Sequence, residues 1–327
     1  MLNFVTAAGH GWTLRHMLRT LKVPTRRWSY EQVIRQSRLP HGTWVFTDHE
    51  RLSGFELSVA GEVAEQLRRA GCRVLNHPAR VLTRMALLEA LADAGINRFR
   101  AYRADEAARP VRYPVFLRRE YDHRQDGRVL LANEAELEAA LAALRAEGVP
   151  LVGRLIIEFA GEETVPGIWY RGSAYRAGDA IIAHHMALDD QWLVKDGFDA
   201  ARLEAYPQRD SFIEAERKFV ADNQHAELLR RVFDMAGLDY GRVDFGFAGG
   251  QLQVWEINSN PTHGEQNSLF GTSHPGRVAT LRVAEDRLHA ALAALDTAGE
   301  GSVELTGEIL REQRQFFPFR LPVWRRP

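Results

Sequence analysis

Residues 241–261 read Gly-Arg-Val-Asp-Phe-Gly-Phe-Ala-Gly-Gly-Gln-Leu-Gln-Val-Trp-Glu-Ile-Asn-Ser-Asn-Pro. This stretch constrains the fold more than any other. It has the form of a β-hairpin, two extended runs joined through Ala248-Gly249-Gly250. Side chains alternate along a strand, so Arg242 and Asp244 share a face, and so do Glu256 and Asn258. Val243, Phe245 and Ile257, with Val254 in part, suit the opposite, buried side. An odd loop centred on Gly249 sets Arg242 opposite Glu256 and Asp244 opposite Val254, with all four polar side chains on one face. A two-residue Gly249-Gly250 loop inverts one strand, because a one-residue slip turns every side chain over. The pattern therefore predicts the odd loop, or a bulge that restores the same parity. Glu256 lies inside an apolar strand, where an unpaired carboxylate is costly. Two carboxylates and a carboxamide beside an arginine suit Mg²⁺ and a nucleotide phosphate, since Mg²⁺ takes oxygen ligands and leaves coordination positions for phosphates.

Composition narrows the class. The 327 residues are 45% hydrophobic with a formal charge of −1, enough for two or three compact units and a poor match to nucleic acid or a membrane surface as main partner. Lys22, Lys195 and Lys218 are the only lysines against abundant arginine, a bias that leaves arginine number uninformative. Cys72 is the single cysteine, which excludes an intrachain disulfide and fits a reducing compartment. The first residues lack a signal-peptide pattern, and no apolar run approaches the ~20 residues that span a bilayer. A soluble cytoplasmic protein is the expectation.

Along the chain, Leu2–Thr6, Thr43–Thr47 and Arg73–Leu75 read as strands, with helices around Trp12–Leu21 and over Phe55–Ala70. Alternating β and α elements imply a small parallel sheet. A helix over Thr83–Ala94 stops at Gly95. Strands follow at Val115–Arg118, Arg128–Leu131, Leu155–Phe159, Ser173–Arg176 and Ala180–His184, with a helix over Glu134–Ala146. A helix over Arg217–Ala236, capped by Gly237, leads into the hairpin, and Val278–Asp296 forms a closing helix. His184 and His185 are adjacent on a strand and are expected on opposite faces, which disfavours a zinc site. The tail from Thr297 mixes aromatics, prolines and arginines (Gln315–Arg326) and is expected to pack on its own protein or to serve a partner or dimer contact.

The hairpin resembles the signature of the ATP-grasp superfamily, whose members include D-alanine–D-alanine ligase and glutathione synthetase. Arg242, Asp244, Glu256 and Asn258 stand at its motif positions, and the Asn-Ser-Asn-Pro ending adds to the match. The resemblance implies an α/β and α+β protein, an ATP-grasp fold preceded by a small Rossmann-like parallel-sheet domain. Its parts are residues 1–82 as the N-terminal domain, 83–112 as helix and linker of the C-terminal grasp domain, 113–185 as a small lid subdomain, 186–296 as the C-terminal subdomain with the metal site, and 297–327 as a tail. It implies ATP as cosubstrate and one or two Mg²⁺ ions, with Mn²⁺ able to substitute, held by Asp244, Glu256 and Asn258. Arg242 is then the catalytic arginine, on the transferring phosphoryl group or the oxyanion.

Further positions follow from the same resemblance. Tyr113-Pro114-Val115-Phe116-Leu117-Arg118 matches a strand whose lysine contacts the α and β phosphates; Arg118 stands in that place, with Arg119 turned to the other side. Thr83-Arg84 stands where relatives carry Asp-Lys. Glu158, Phe159 and Ala160 match the hinge that cradles adenine, and Glu162 or Glu163 would meet the ribose. Lys195 is a candidate for the phosphates and for catalysis. Thr262, His263 and His184 are candidates for substrate contact. The loop Glu120–Gly127 has one glycine where relatives have several, so either side chains such as His123 and Arg124 replace backbone N–H groups at the phosphates or the loop closes loosely. The implied activity is an ATP-dependent, ADP-forming carboxylate–amine (or carboxylate–thiol) ligase acting through an acyl phosphate on small-molecule or peptide substrates, as monomer or homodimer. A kinase and a non-catalytic nucleotide-binding regulator are the alternatives. His10, Asp48, His49 and Asn76 in the first domain carry no chemical signature in the sequence.

Overall fold

A computed structural model describes residues 1–121, 129–195, 197–262, 274–297, 299–308 and 310–312. The first unit contains β1 (Leu2–Thr6), the short helix α1 (Met17–Thr20), β2 (Thr25–Ser29), α2 (Tyr30–Arg35), β3 (Arg38–Pro40), β4 (Thr43–Phe46), α3 (Gly54–Arg69) and β5 (Arg73–Leu75). Strands β2, β1, β4 and β5 form a parallel sheet in that order. Every residue of β1 is buried, as a parallel strand covered on both faces requires. Val5, Trp44 and Phe46 pack toward Val59, Val63 and Leu67 of α3 on one side. Leu2, Phe4 and Val45 face the other side. Ser53 and Glu56 close the start of α3 with a reciprocal capping box.

Two expectations for this unit change. The segment Trp12–Leu21 is a 3-10 turn over Gly11–Leu14 followed by α1, not one helix. Strand β2 carries no strand signal in its sequence, since Thr-Arg-Arg-Trp-Ser has no apolar alternation; as the edge strand it keeps both arginines exposed and buries only Trp28.

Helix α4 (Arg84–Asp93) begins at Thr83, whose side chain accepts from the Ala86 N–H, and ends before Gly95 with φ +68°. Next come β6 (Ala101–Arg103), β7 (Val115–Arg119), α5 (Glu134–Ala146) and β8 (Arg154–Glu158). These strands form an antiparallel sheet in the order β6-β8-β7, with Leu137 and Leu141 of α5 packed on Val115 and Ile156. Of the strand expected at Arg128–Leu131, the described part shows a single bridge, Leu131 to Val115.

The remaining elements are β9 (Glu163–Val165), β10 (Ile168–Ala177), β11 (Ala180–Asp189), α6 (Ala200–Glu204), α7 (Arg209–Asp222), α8 (Ala226–Ala236), β12 (Tyr240–Ala248), β13 (Gln251–Asn258), α9 (Pro275–Ala293) and β14 (Ser302–Glu304). The large antiparallel sheet runs β11-β10-β12-β13, with β9 on β10. Strands β10 and β11, grouped above with the small lid, thus belong to the sheet of the signature hairpin. One face, with Val243, Phe245 and Val254, packs on Leu229, Val232 and Phe233 of α8. The other carries Tyr175 and Tyr240 against Leu288 and Leu292 of α9, and against Leu2 and Phe4 of the first sheet. The single helix expected at Arg217–Ala236 is broken into α7 and α8: Asn223 takes a left-handed conformation (φ +48°) that ends α7, and its side chain donates to the Ile181 carbonyl. The closing helix starts earlier than expected, at Pro275, and ends at Ala293. Strand β14 returns to pair with β3. No helix among the described residues is long and apolar enough to cross a membrane.

Candidate active site

The hairpin turns on two residues, Gly249 and Gly250, both with positive φ (+57° and +71°), the geometry glycine adopts without strain. Phe245 pairs with Val254 and Ala248 with Gln251, the parity that alone would place Arg242 and Asp244 on the wrong side. The register shifts between Asp244 and Phe245, so Asp244 pairs with Glu256 and Arg242 with Asn258. A bulge near Trp255 therefore restores the common face. The odd loop is not formed; the alternative route to the same parity is.

Arg242 is buried and donates to both oxygens of Asp244, each at 3.1 Å. Ser173 of β10 donates to the same carboxylate at 2.6 Å, and Arg171 stands 3.8 Å from it. Burial opposes the charge of Arg242, but Asp244 and Tyr175 outweigh it and hold the guanidinium above the ordinary arginine value. Burial pushes the Tyr175 hydroxyl up to about 12 despite the nearby arginine.

Glu256 receives two arginines. Arg84, from the head of α4, lies 2.9 Å from Oε2, and Arg118 of β7 bonds the same oxygen. Arg84 also donates to the carbonyls of Arg119 and Glu120, each at 2.9 Å. Its fork thus fastens the small sheet to the signature hairpin, a geometry that a lysine's point charge cannot copy. Burial first, then the adjacent Arg118, draws Arg84 down to about 10, with Glu256 offsetting part of the cost. Glu120, also buried, bonds Arg103 at 2.8 Å. Arg84, Arg171 and Ser173 were not assigned to the site from sequence. Only the place of Arg84 at the helix head hinted at its role.

Asp244, Glu256 and Asn258 offer oxygen donors from one face, a set that fits a hard divalent cation. The Asn258 carboxamide oxygen accepts from the Asn260 N–H at 2.9 Å, which fixes it for such a role. The arginines supply the counter-charge to both carboxylates, so a metal ion would exchange with them.

The hinge residues divide. The Glu158 carboxylate is buried and accepts from the backbone N–H groups of Arg100, Val111 and Arg112, from Tyr102, and from the Arg112 side chain. It ties the small sheet together. Phe159 packs edge-on to Trp169 and Trp192, whose rings lie 5.5 and 5.4 Å away, and Trp192 also meets Phe116. Ala160, like Phe116 and Trp255, packs on the core of Met85, Leu88, Phe99, Leu155 and Ile157. Glu162 accepts from the Gly250 N–H and Glu163 from that of Gly167. Lys195 is exposed in the bend after β11.

The expectation that His184 and His185 point apart is wrong. The β10–β11 register shifts at Ser173, leaving His184 as an extra residue in β11. The bulge brings the two Nδ1 atoms within 2.9 Å, and His184 Nε2 meets Glu285 of α9 at 3.1 Å. Burial, then the neighbouring His184, Arg171, Arg242 and Arg277, holds His185 well below the usual imidazole range. Tyr175 donates to the Thr262 carbonyl at 3.4 Å, placing the loop start beside this cluster. His263, His123 and Arg124 lie outside the described residues, as does the tail segment Gln315–Arg326.

A cleft of about 810 Å³, including its open mouth, runs beside Glu256 between the first unit and α4. Leu52, Leu57, Leu82, Trp255 and Ile257 make its apolar wall, and Glu50, Arg84 and Glu120 its charged side.

Among solved structures, the ATP-grasp ligase PsnB complexed with minimal precursor matches 90% of this chain and 98% of its own, with TM-score 0.50 and 14% identity. The chain has the ATP-grasp fold. A RimK-domain ATP-grasp protein from Sphaerobacter thermophilus covers 90% of the chain and 99% of its own length (TM-score 0.47, 14% identity). D-alanine–D-alanine ligase from Bacillus anthracis, complexed with ATP, covers 88% and 98% (TM-score 0.46, 11% identity). No protein-family model and no curated protein matches the sequence.

Proposed function

We propose that the protein is an ATP-dependent, ADP-forming ligase that joins a carboxylate to an amine. The observation that carries this reading is the bulged hairpin register, which sets Arg242, Asp244, Glu256 and Asn258 on one face of an ATP-grasp sheet. Arg118, on the small sheet, and Arg84, at the head of α4, meet that face at Glu256, so positive charge from two further elements surrounds the position a triphosphate would take. Lys195, Phe159 and Ala160 are the remaining candidates for ATP contact. A bound Mg²⁺ (or Mn²⁺) on Asp244, Glu256 and Asn258 would neutralise phosphate charge.

The chemistry asked of the chain is mostly positioning and charge stabilisation, since phosphoryl transfer needs little covalent help. A substrate carboxylate attacks the γ-phosphorus, ADP leaves, and an acyl phosphate results. An amine then displaces inorganic phosphate. Arg242, held by Asp244, is placed to stabilise the oxyanion that develops in the second step. The apolar wall of the cleft suits a carboxylate or amine with a hydrophobic side chain, amino acid or peptide.

The test is ADP release from ATP across pooled carboxylates and amines. Glu256→Gln and Asp244→Asn are expected to abolish amine-dependent phosphate release while circular dichroism stays unchanged. Full turnover in both variants would exclude the mechanism.

A further inference from the structure

Where the hairpin ends, Asn258 leads through Ser259 to Asn260, and Asn260 is buried against loops of the first unit. These loops follow β1 and β4, at the carboxyl ends of a parallel sheet, where open α/β sheets present ligands. They hold a polar pair that the steps above do not use. His10 Nδ1 lies 2.6 Å from Asp48 Oδ1. Asp48 is fully buried and has a left-handed backbone (φ +59°), an uncommon state for a non-glycine residue.

Contacts from three directions hold it there. The Ala7 N–H donates to Oδ2 at 2.9 Å, Asn260 Nδ2 donates to Oδ2 at 2.9 Å, and the Asp48 N–H donates to Ser259 Oγ at 2.8 Å. Thr13 donates to the Asn260 carboxamide oxygen at 2.8 Å, which fixes the amide with its NH₂ toward the carboxylate. The Asp48 carboxylate can only accept, so the proton sits on Nδ1 and Nε2 keeps its lone pair, with the exposed Arg51 side chain 3.4 Å away. Trp12, half exposed, packs edge-on to the imidazole with ring centres 5.8 Å apart. The charged groups around the ring are Asp48 and Arg51 from the loop after β4, with Arg27 of β2 on the Gly11 carbonyl; from the hairpin side comes the neutral Asn260.

We propose that His10 is the general base of the ligation, an assignment that rests on the ligase function above. Asn260, which touches the dyad, is two residues from Asn258, so their Cα atoms are at most about 7.6 Å apart. The nucleophile's nitrogen attacks the acyl-phosphate carbonyl carbon with its lone pair and forms the C–N bond. The bond from that carbon to the phosphate oxygen breaks, and phosphate leaves with the electron pair. A protonated nucleophile first gives one proton to His10 Nε2, which frees that lone pair, and Asp48 stabilises the resulting imidazolium; the second proton, shed by nitrogen after the C–N bond forms, leaves on the phosphate. His10 is thus a catalytic residue, and Asp48 is a positioning residue.

The experiment compares two nucleophiles on the full chain, with ATP, Mg²⁺ and a mixture of proteinogenic amino acids and dipeptides as carboxylates. Hydroxylamine, uncharged at neutral pH, traps an acyl phosphate as hydroxamate without needing a base. The amino groups of the same mixture are protonated and need one. In His10→Gln, hydroxamate formation stays near the wild-type rate while peptide-bond formation falls about 10²–10⁴-fold, and raising the pH toward the amine's own pKa relieves the loss. Asp48→Asn gives the same split to a smaller degree. Equal loss with both nucleophiles, or no loss with either, overturns the assignment. Absence of hydroxamate from the wild-type protein removes the ligase function itself, and the base with it.

Discussion

Replacing Asn76 by alanine is expected to destabilise the fold by about 3–5 kcal/mol. Asn76 follows β5, is fully buried, and has φ +54°. Its carboxamide oxygen accepts from the N–H groups of Asp239 and Tyr240 at 2.7 and 2.8 Å, and its NH₂ donates to the Tyr240 carbonyl at 2.8 Å. The Tyr240 groups are buried and cannot turn to water; each costs about 1–3 kcal/mol when left unmade, whereas Asp239 is partly exposed and costs less. Alanine also retains a Cβ in left-handed backbone, worth about 1–2 kcal/mol. Asn76→Gly loses the same bonds without that strain and should be the more stable variant by about 1 kcal/mol. Urea unfolding of the two variants and the parent measures both quantities. A loss below about 1 kcal/mol in Asn76→Ala would refute the claim that this side chain pins the start of β12. A more stable alanine than glycine variant would refute the strain.

The buried pair Glu216–Arg277 joins α7 to α9 and bonds both backbone groups of Met186. Glu216→Ala should cost about 3–5 kcal/mol by stranding the guanidinium, and Glu216→Leu with Arg277→Met should recover part of it in the same urea assay, the remainder being the Met186 N–H and carbonyl left unmade. Burial holds His49 and His185 below the usual imidazole range. The unfolded chain protonates them below about pH 6.5 while the folded chain keeps them neutral, so stability is full above that pH and falls below it, by up to about 1.4 kcal/mol per pH unit for each. His185→Asn should flatten that slope; an unchanged slope would mean His185 titrates normally. Arg84→Lys keeps the charge but drops the paired bonds to Glu256 and the Arg119 and Glu120 carbonyls. It should weaken ATP binding about tenfold by calorimetry, and wild-type affinity would show that the fork is dispensable.

What the sequence revealed follows from how local each signal was. Alternation and the glycine turn were enough to find the hairpin, and parity was enough to require either an odd loop or a bulge, of which the bulge formed. Apolar residues at helical spacing marked α3, and Thr83 with Gly95 bounded α4, because these signals are written within a few turns of chain. The second bulge at His184 left no such mark, since it depends on the partner strand, and so two histidines expected on opposite faces meet. Asn223 breaks a helix that the leucine and phenylalanine spacing carries straight through. Arg84 and Glu158 show the same limit. Each is one charged residue among many, and only the packing of separate sheets makes the first bridge the small sheet to the signature hairpin and the second bind its own loop.

Strand β14 has a consequence for how the chain is made. It is the partner of β3 in a two-stranded sheet, yet about 260 residues separate them. During synthesis the first unit therefore emerges with a ready edge and waits for about 260 further residues before that edge is covered. Premature termination anywhere before residue 302 leaves it bare, so truncated products should be the ones chaperones retain or that precipitate.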